Sequence, residues 1–374
     1  MNKETLAILS VSAGAGHVRA AEAVKVTAEK EFPSLNPVHI DVMTLVSDLF
    51  KKLYADSYLS IVEKHPSLWG YLYKKADQEK AESMLNKLRR GIEKLNTKKL
   101  VSTLEELKPS KILCTHFLPA ELLSRMSLNG TYHKPIWVQV TDFDIHTMWV
   151  HQGITGYFAA SEEVAWRMAD RGIPLNLITV TGIPIMPVFA QKFSRKECAA
   201  EYSLDPQKTT IVMMSGGYGV GGIDLLAERL LKIEGDFQII ALAGRNEKLL
   251  ETLKELGSKH PNRLFPQGFT RTIERLMACA DFAVTKPGGL TSSECLAMGL
   301  PMIVVSPIPG QEERNADYLL ENGVALKAYD GAGLEYRVKT LLKNPRRIME
   351  MRERALKIAK PHAANKVLET ITAE

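Results

Sequence analysis

The sequence has little cysteine, and its cysteines show no metal-binding or disulfide spacing. Only four occur in 374 residues, and no two of them form a Cys-x-x-Cys pair. They are Cys114, Cys198, Cys279 and Cys295. Zinc sites and disulfide frameworks need cysteines that are closely spaced or numerous. We therefore predict free thiols and no metal site, a pattern typical of a reducing cytoplasm.

Long apolar runs and a strong charge bias are also missing. No uninterrupted apolar stretch approaches the roughly 20 residues of a membrane-spanning helix, and Lys3 and Glu4 precede a predicted strand rather than the core of a signal peptide. A net charge of +5 does not require a nucleic-acid partner, and we expect none. The same charge permits attraction to phosphates or to an anionic membrane, so any lipid contact is expected to be peripheral.

The length of 374 residues predicts two domains, each large enough to bury a core. Between them we place the segment Gly182-Ile183-Pro184-Ile185-Met186-Pro187, because prolines around a glycine interrupt regular structure. The predicted limits are 1–185 for the N-terminal domain and 186–350 for the C-terminal domain. Residues 351–374 are predicted to form a separate C-terminal helical segment.

The stretch 282–315 carries the strongest ligand-binding pattern. It predicts a buried strand over 282–285, a Pro-Gly-Gly turn, a helix over 291–298 and a second strand over 302–305. Glycines allow a close backbone approach, and the amides at a helix N-terminus favour negative charge. A phosphate group is the expected ligand. Polar residues 309–312 follow the second strand at the same sheet edge.

Glu294 in this stretch has two interpretations. Thr291-x-x-Glu294 is the pattern of a capping box, which would use the carboxylate to satisfy a backbone amide at the helix start. Alternatively, the carboxylate accepts hydrogen bonds from the two hydroxyl groups of a ribose. The spacing alone leaves both open.

Two further glycine-rich loops follow predicted strands. The loop 215–222 contains five glycines after the strand 210–214, and its amides suit a diphosphate. The loop 12–17 follows the strand 6–11 and contains Gly14-x-Gly16-His17. A dinucleotide fingerprint would need a third glycine where Arg19 stands, so the acidic Asp41 after the next strand is not expected to read a ribose.

Two other predicted strands of the N-terminal half end in polar residues. The strand 111–115 leads to His116, and the strand 136–141 leads to Asp142-Phe143-Asp144-Ile145-His146. Residues 43–108 predict helices in which Trp69, Tyr71 and Tyr73 lie among lysines. Aromatic rings beside lysines suit a membrane interface, whereas the alternative is a core stripe with a solvated basic rim.

Several of these motifs together resemble the GT-B glycosyltransferases of family 28, in the branch of the diacylglycerol glycosyltransferases. They are Gly14-x-Gly16-His17, Thr141-Asp142-Phe143-x-x-His146-x-x-Trp149, Gly182-Ile183-Pro184, Lys286-Pro287-Gly288-Gly289-x-Thr291-x-x-Glu294 and Pro309-Gly310-Gln311-Glu312 with Asn315. The resemblance implies an α/β GT-B fold. In that fold two Rossmann-like domains with parallel sheets face a cleft, and a C-terminal helix crosses back to the first domain.

The resemblance also implies roles for individual residues. Asp142 would be the catalytic base, with His17 at the reacting centre, while Glu294 would hold the ribose. Gln311 and Glu312 would bind the hexose, and uracil would be read at the turn Phe269-Thr270. The implied donor-binding set is Gly216, Gly217, Gly219, Asn246, Phe269, Thr270, Lys286, Gly288, Gly289, Thr291, Glu294, Gly310, Gln311, Glu312 and Asn315. The acceptor or membrane set is Gly16, Trp69, Tyr71, Lys74, Lys75, His146 and Trp149, although packing is an alternative role for His146 and Trp149.

The implied reaction transfers glucose or galactose from a UDP-sugar to diacylglycerol, with inversion and without a cofactor. Such a protein would attach peripherally to the anionic inner face of the cell membrane. Asp142-x-Asp144 matches the metal motif of the GT-A fold, but the nucleotide features lie in the other half of the chain, so no metal is expected. Two rivals stay open: the same fold acting on an undecaprenyl-linked muropeptide, and a non-catalytic UDP-sugar sensor.

Overall fold

The computed structural model of the protein describes residues 3–12, 14–46, 97–214 and 222–373. The chain divides into two compact units. The first consists of Met1–Pro187, Ile308–Arg314 and Lys360–Glu374, and the second of Val188–Pro307 and Asn315–Ala359. Within the described ranges no helix is long and apolar enough to cross a membrane.

The first unit is built on a parallel sheet in the order β2-β1-β3-β4-β5-β6, as far as the described residues extend. Its strands are β1 (Glu4–Ser10), β2 (Leu35–Asp41), β3 (Lys111–Cys114), β4 (Ile136–Gln139), β5 (Gly156–Ala159) and β6 (Ile178–Val180). Its helices before the boundary are α1 (Ala15–Glu31), α2 (Thr97–Leu107), α3 (Phe117–Leu128) and α4 (Glu162–Asp170). Leu6 to Leu9 are completely buried, as expected for a parallel strand covered on both faces.

The second unit has a parallel sheet in the order β12-β11-β10-β7-β8-β9. Its strands are β7 (Thr209–Met214), β8 (Phe237–Leu242), β9 (Leu264–Gln267), β10 (Phe282–Thr285), β11 (Met302–Val305) and β12 (Ala325–Ala328). Its helices are α5 (Arg195–Glu201), α6 (Ile223–Leu231), α7 (Glu247–Lys259), α8 (Ile273–Cys279), α9 (Gly289–Ala297), α10 (Gln311–Glu321), α11 (Gly331–Leu342) and α12 (Pro345–Ile358). The first four residues of α10 belong to the first unit. The strand order is that of a Rossmann fold, which confirms the predicted fold class.

The last helix, α13 (Ala363–Ala373), belongs to the first unit. Its Ala364, Val367 and Leu368 share a core with the buried face of α1. Where the chain returns to the first unit, Lys360 packs against Gly182, which has a φ of +91°. A Cβ atom added to Gly182 would lie 2.4 Å from the Cβ of Lys360. Only glycine therefore allows this crossing. The return begins at Lys360 rather than at 351, because Met351 of α12 is buried in the second core.

All four cysteines are buried and free, which confirms the predicted thiols. Burial raises the pKa of each thiol, that of Cys279 to about 12. A thiol with a raised pKa remains protonated at neutral pH, so it is a poor nucleophile and a poor metal ligand.

Candidate active site

The strand order of the first sheet brings two loops together beside the N-terminus of α1. Strands β1 and β3 are neighbours although β2 lies between them in sequence, and such a switch in strand order opens a crevice at the carboxyl edge of a sheet. The chain after β1 leads to His17, and the chain after β3 leads to Thr115 and His116. The Thr115 hydroxyl donates to the His17 carbonyl oxygen at 2.9 Å, and the two imidazole rings meet edge to face at 4.5 Å.

The hydrogen bonds of His17 determine which ring nitrogen carries the proton. Its Nδ1 lies 3.0 Å from the Thr115 carbonyl oxygen and 2.8 Å from the Thr141 hydroxyl oxygen. Since a carbonyl oxygen can only accept, Nδ1 must be the protonated nitrogen and the donor. Nε2 of the neutral ring then keeps its lone pair. Burial lowers the pKa of His17, while the nearby Asp142 carboxylate and the Thr115 carbonyl raise it, so the neutral ring prevails at neutral pH.

His116 is a member of this cluster that was not among the predicted site residues. Its Nδ1 accepts a hydrogen bond from the Leu118 amide at 3.1 Å and caps α3. In the neutral ring the proton must therefore be on Nε2. Burial, together with the neighbouring His17, lowers the pKa of His116 well below its usual value. His116 is thus a neutral ring that can donate from Nε2, beside the neutral ring of His17, which can accept at Nε2. The sequence signal that could have identified His116 is its position just after the strand β3.

Asp142 follows β4 and is buried, with 7% of its surface exposed. The Gln311 side-chain amide donates to its Oδ2 at 2.8 Å. Gln311 belongs to the segment Ile308–Arg314 of the first unit. The structure therefore joins the residue predicted as the base to a residue predicted to bind the hexose.

Asp144 points to different partners from Asp142. Its carboxylate oxygens lie 3.8 Å from Arg167 Nε and 3.8 Å from Arg314 Nε. Burial raises the pKa of Asp144, while the arginines lower it. Among the described residues no group of three or more histidine, cysteine, aspartate or glutamate side chains could hold a metal ion.

His146 and Trp149 take structural positions in the first unit. The His146 Nδ1 accepts from the Met148 amide at 3.2 Å and begins a short 3-10 helix, Thr147–Trp149. Trp149 is 4% exposed, and its ring centroid lies 5.8 Å from that of Phe117 and 6.2 Å from that of His17. These contacts favour the packing role, with Trp149 forming a wall beside His17. Gly16 lies in the first turn of α1, next to His17.

In the second unit, α9 does not begin with the capping box that the sequence allowed. The helix starts at Gly289 with Gly288 as its N-cap, and glycine has no side chain that could cap it. Thr291 lies inside the first turn, so the interpretation of Thr291 and Glu294 as a capping box is wrong. Glu294 is 8% exposed. Its predicted role at a ribose stays a prediction.

The other predicted donor residues in this unit stand at the carboxyl ends of strands. Lys286 is half-buried after β10, while the Asn246 side-chain oxygen Oδ1 accepts from the Leu249 amide at 2.9 Å and caps α7. Phe269 is 55% exposed, with the Arg245 guanidinium 4.7 Å from its ring centroid. Arg245 was not among the predicted residues. The Thr270 hydroxyl accepts from the Thr272 amide at 3.0 Å.

The first turn of α10 is held by its own acidic residues. The Glu312 carboxylate accepts from the Ile308 amide at 2.7 Å, and the Glu313 carboxylate accepts from the Gly310 amide at 3.1 Å. Gly310 has a φ of +88°, a value that favours glycine. Asn315 is completely buried. Glu312 therefore has a structural role at the start of α10, and Asn315 lies inside the protein.

Seven predicted residues lie outside the described residues. They are Gly216, Gly217, Gly219, Trp69, Tyr71, Lys74 and Lys75. Their roles stay predictions.

Acid should destabilise the first unit through its buried histidines. Burial lowers the pKa of His151 to about 4. As the pH falls, the histidine of the unfolded chain is therefore protonated near pH 6.5, whereas that of the folded chain stays neutral until about pH 4. The free energy of unfolding should therefore fall as the pH drops from about 6.5 to about 4, by about 1.4 kcal/mol per pH unit for this proton. Urea titrations across that range should show a smaller slope for His151→Gln than for the parent protein. Equal slopes for the two proteins would contradict the assignment.

Comparison with known proteins agrees with this arrangement. Residues 17–185 match the family model of monogalactosyldiacylglycerol (MGDG) synthase, and residues 223–367 match the glycosyltransferase family 28 C-terminal domain. The processive diacylglycerol beta-glucosyltransferase of Bacillus cereus (strain AH187) is 29% identical over 378 residues, which cover 98% of this chain and 93% of that protein.

Solved structures with the same fold cover nearly all of the chain. MurG from Acinetobacter baumannii has a TM-score of 0.62 at 16% identity, with 100% of both chains covered. UDP-GlcNAc 2-epimerase from Neisseria meningitidis, bound to UDP-GlcNAc, has a TM-score of 0.62 at 14% identity, with 99% of this chain and 100% of that one covered. At these identities the likeness shows the fold alone. The two family models, with the full-length relative, show that the chain belongs to the GT-B glycosyltransferases of family 28, in the branch of the diacylglycerol glycosyltransferases.

Proposed function

We propose that the protein transfers a hexose, glucose or galactose, from a UDP-sugar to diacylglycerol. The transfer inverts the anomeric carbon and yields β-glycosyl diacylglycerol and UDP. The observation that carries the proposal is the cluster of His17, Thr141 and Asp142 at the carboxyl edge of a sheet whose residues match the MGDG synthase model. That match favours diacylglycerol over the muropeptide acceptor.

The mechanism needs a base for the acceptor hydroxyl, because an alcohol is a poor nucleophile at neutral pH. Asp142 takes this proton, and its burial keeps water from competing for the carboxylate. The Gln311 amide, at 2.8 Å, orients the carboxylate before the substrates bind. His17 is neutral and keeps a lone pair on Nε2, so it accepts a hydrogen bond that orients the acceptor hydroxyl toward Asp142.

The departing diphosphate requires stabilisation of the charge that develops on it. The N-cap of α9 is Gly288, which has no side chain to cover the first-turn amides, so these amides can bind an anion. Lys286, directly after β10, adds a positive charge near this helix start. Preorganised amides of this kind stabilise a transition-state charge that a metal ion stabilises in other enzymes.

We expect the turnover of the enzyme to be independent of added metal ions. Asp142 and Asp144 have separate side-chain partners, which is unsuited to a shared metal ion. Excess EDTA should leave turnover nearly unchanged. Loss of activity that Mn²⁺ restores would contradict both the assignment of Asp142 and the proposal that no metal or cofactor takes part.

Glu294→Ala should weaken UDP binding at least tenfold. We propose that its carboxylate accepts hydrogen bonds from the ribose, and each charge-assisted bond contributes about 1.5–3 kcal/mol. Calorimetry with UDP measures the change, and Glu251→Ala, on the exposed face of α7, is the control. An unchanged UDP affinity with a lower melting temperature would instead assign Glu294 a structural role.

We also propose a peripheral location on the inner face of the cell membrane. The support is in the sequence, where Trp69, Tyr71, Lys74 and Lys75 belong to a stretch rich in aromatic and basic residues. Aromatic rings and lysines of this kind suit the interface of an anionic bilayer.

The test of the proposed function is analysis of the lipid products. The purified protein is incubated with diacylglycerol and either UDP-glucose or UDP-galactose, and the lipids are separated and identified by mass. A glycosyl diacylglycerol that depends on one UDP-sugar supports the proposal and identifies the donor. UDP binding without any glycolipid product from either donor would favour the sensor instead.

A further inference from the structure

A cavity of about 650 Å³ lies in the second unit, away from the loops that the proposed reaction uses. The end of α10, the start of β12 and the part of α12 up to Arg354 line it. Leu320, Leu326 and Met351 form its apolar wall, and three arginines form its polar wall. Its size is within the range of small-molecule sites, about 300–1,000 Å³.

The charge inside this cavity is unbalanced. Arg346 pairs with Glu350 at 3.0 Å. In the part of the chain that the structure describes, no carboxylate lies within ion-pair distance of the Arg347 or the Arg354 guanidinium. The cavity therefore presents two positive charges to whatever occupies it.

The geometry of α12 places these two guanidinium groups on one wall. Arg347, Met351 and Arg354 are at positions i, i+4 and i+7, so they share a helix face. Met351 is buried and anchors that face. The start of α12 itself contributes little to anion binding, because Pro345 has no N–H and the Arg347 amide donates to the Asn344 side chain at 3.1 Å. The arginine side chains are the candidate ligands.

Gly323 makes room for Arg354. It lies two residues after the end of α10 with a φ of +65°, and its amide donates to the Leu320 carbonyl oxygen at 2.9 Å. A Cβ at this position would lie 2.4 Å from Arg354 Nη1. The glycine therefore lets the guanidinium lie against the backbone at the cavity wall.

The cavity is separate from the predicted donor site of the same unit. It lies where β12 begins, whereas α9 follows the carboxyl end of β10, and all strands of the sheet are parallel. The two places are at opposite edges of the sheet. None of the predicted donor-binding residues that the structure describes lines the cavity.

We propose that this cavity binds a phosphate group, with Arg347 and Arg354 as its ligands. Guanidinium groups match phosphate oxygens by paired hydrogen bonds, and two of them without carboxylate partners suit a monoanion or dianion. The apolar wall also accommodates the glycerol carbons of a phospholipid headgroup. Free phosphate and a lipid phosphodiester share this chemistry.

The experiment measures binding of two probes by calorimetry at low salt. The probes are inorganic phosphate and dihexanoylphosphatidylglycerol, used below its micelle concentration. Three proteins are compared. They are the parent chain, a double variant with Arg347→Gln and Arg354→Gln, and a second double variant with Arg352→Gln and Lys357→Gln. The last variant is the matched control, since it removes two positive charges from the same helix but none from the cavity.

At least one probe should bind to the parent and to the control with equal affinity. The same probe should bind at least tenfold more weakly to the variant in which Arg347 and Arg354 are replaced. Tighter binding of the phosphatidylglycerol identifies a lipid headgroup as the source, and tighter binding of phosphate identifies a free anion. Equal affinity in all three proteins, or no binding of either probe by the parent, would overturn the proposal. If the variant fails to fold, hydrogen exchange on the parent decides, because phosphate should protect amides of α12 and an unchanged pattern would overturn the site.

Discussion

Asp142→Asn should lower turnover about 10²–10⁴-fold, the usual contribution of general-base assistance. Asparagine keeps the shape of the side chain, and its carbonyl oxygen can still accept the hydrogen bond that Gln311 now donates to Asp142 at 2.8 Å. The melting temperature should therefore be unchanged. Donor affinity should be unchanged as well, because Asp142 is proposed to act on the acceptor. Steady-state kinetics and UDP calorimetry on the same preparation test all three expectations.

Asp144→Asn is the matched control for this substitution. Asp144 is also partly buried and lies two residues away, but its carboxylate faces Arg167 and Arg314. Its loss should reduce turnover less than tenfold. If Asp144→Asn has the larger effect, or if Asp142→Asn retains most of the activity, the base has been misassigned.

The sheets of this fold are largely predictable from short apolar runs. The runs that become β10 and β11 are bounded by glycine and proline, and both strands occur over the predicted residues. β12, Ala325–Ala328, was not predicted because Ala-Leu-Lys-Ala contains no β-branched residue. It is a strand because it pairs with β11 at the sheet edge. Pairing with a neighbouring strand, rather than local sequence preference, therefore determines the strand conformation of these residues.

The candidate site was predictable residue by residue, but not as a cluster. His17 and His116 are 99 positions apart, and only the order β2-β1-β3 brings their loops together. Gln311 and Asp142 are separated by 169 positions. Their contact depends on the segment Ile308–Arg314 packing with the first unit, although the flanking residues belong to the second. Sequence spacing contains no information of that kind.

The start of α9 shows a local pattern that misleads. Thr291 and Glu294 have the spacing of a capping box, yet the helix already begins at Gly289. Glycine at the N-cap has no side chain, so it covers none of the first-turn amides itself. The spacing of a capping box can therefore also occur inside a helix, and only the backbone conformation shows whether the helix begins there.

His17→Ala should lower turnover nearly as much as Asp142→Asn, and the double variant should be little worse than either single one. The Asp142 carboxylate raises the pKa of His17 against the effect of burial, so the two side chains are electrostatically linked. Residues that act as a unit have strongly non-additive effects on rate. A double variant whose loss equals the product of the single losses would contradict the linked roles.

The pH dependence of kcat/KM provides an independent check on the same pair. Neutral His17 is required at the acceptor, so activity should fall as the pH drops through the pKa of His17, which lies below the ordinary value of about 6.5. Removing the Asp142 charge lowers that pKa further. The acid limb should therefore move to lower pH in Asp142→Asn, and it should stay in place in Asp144→Asn. An acid limb that stays in place in Asp142→Asn would show that the Asp142 charge does not act on the pKa of His17, and would contradict the linked roles.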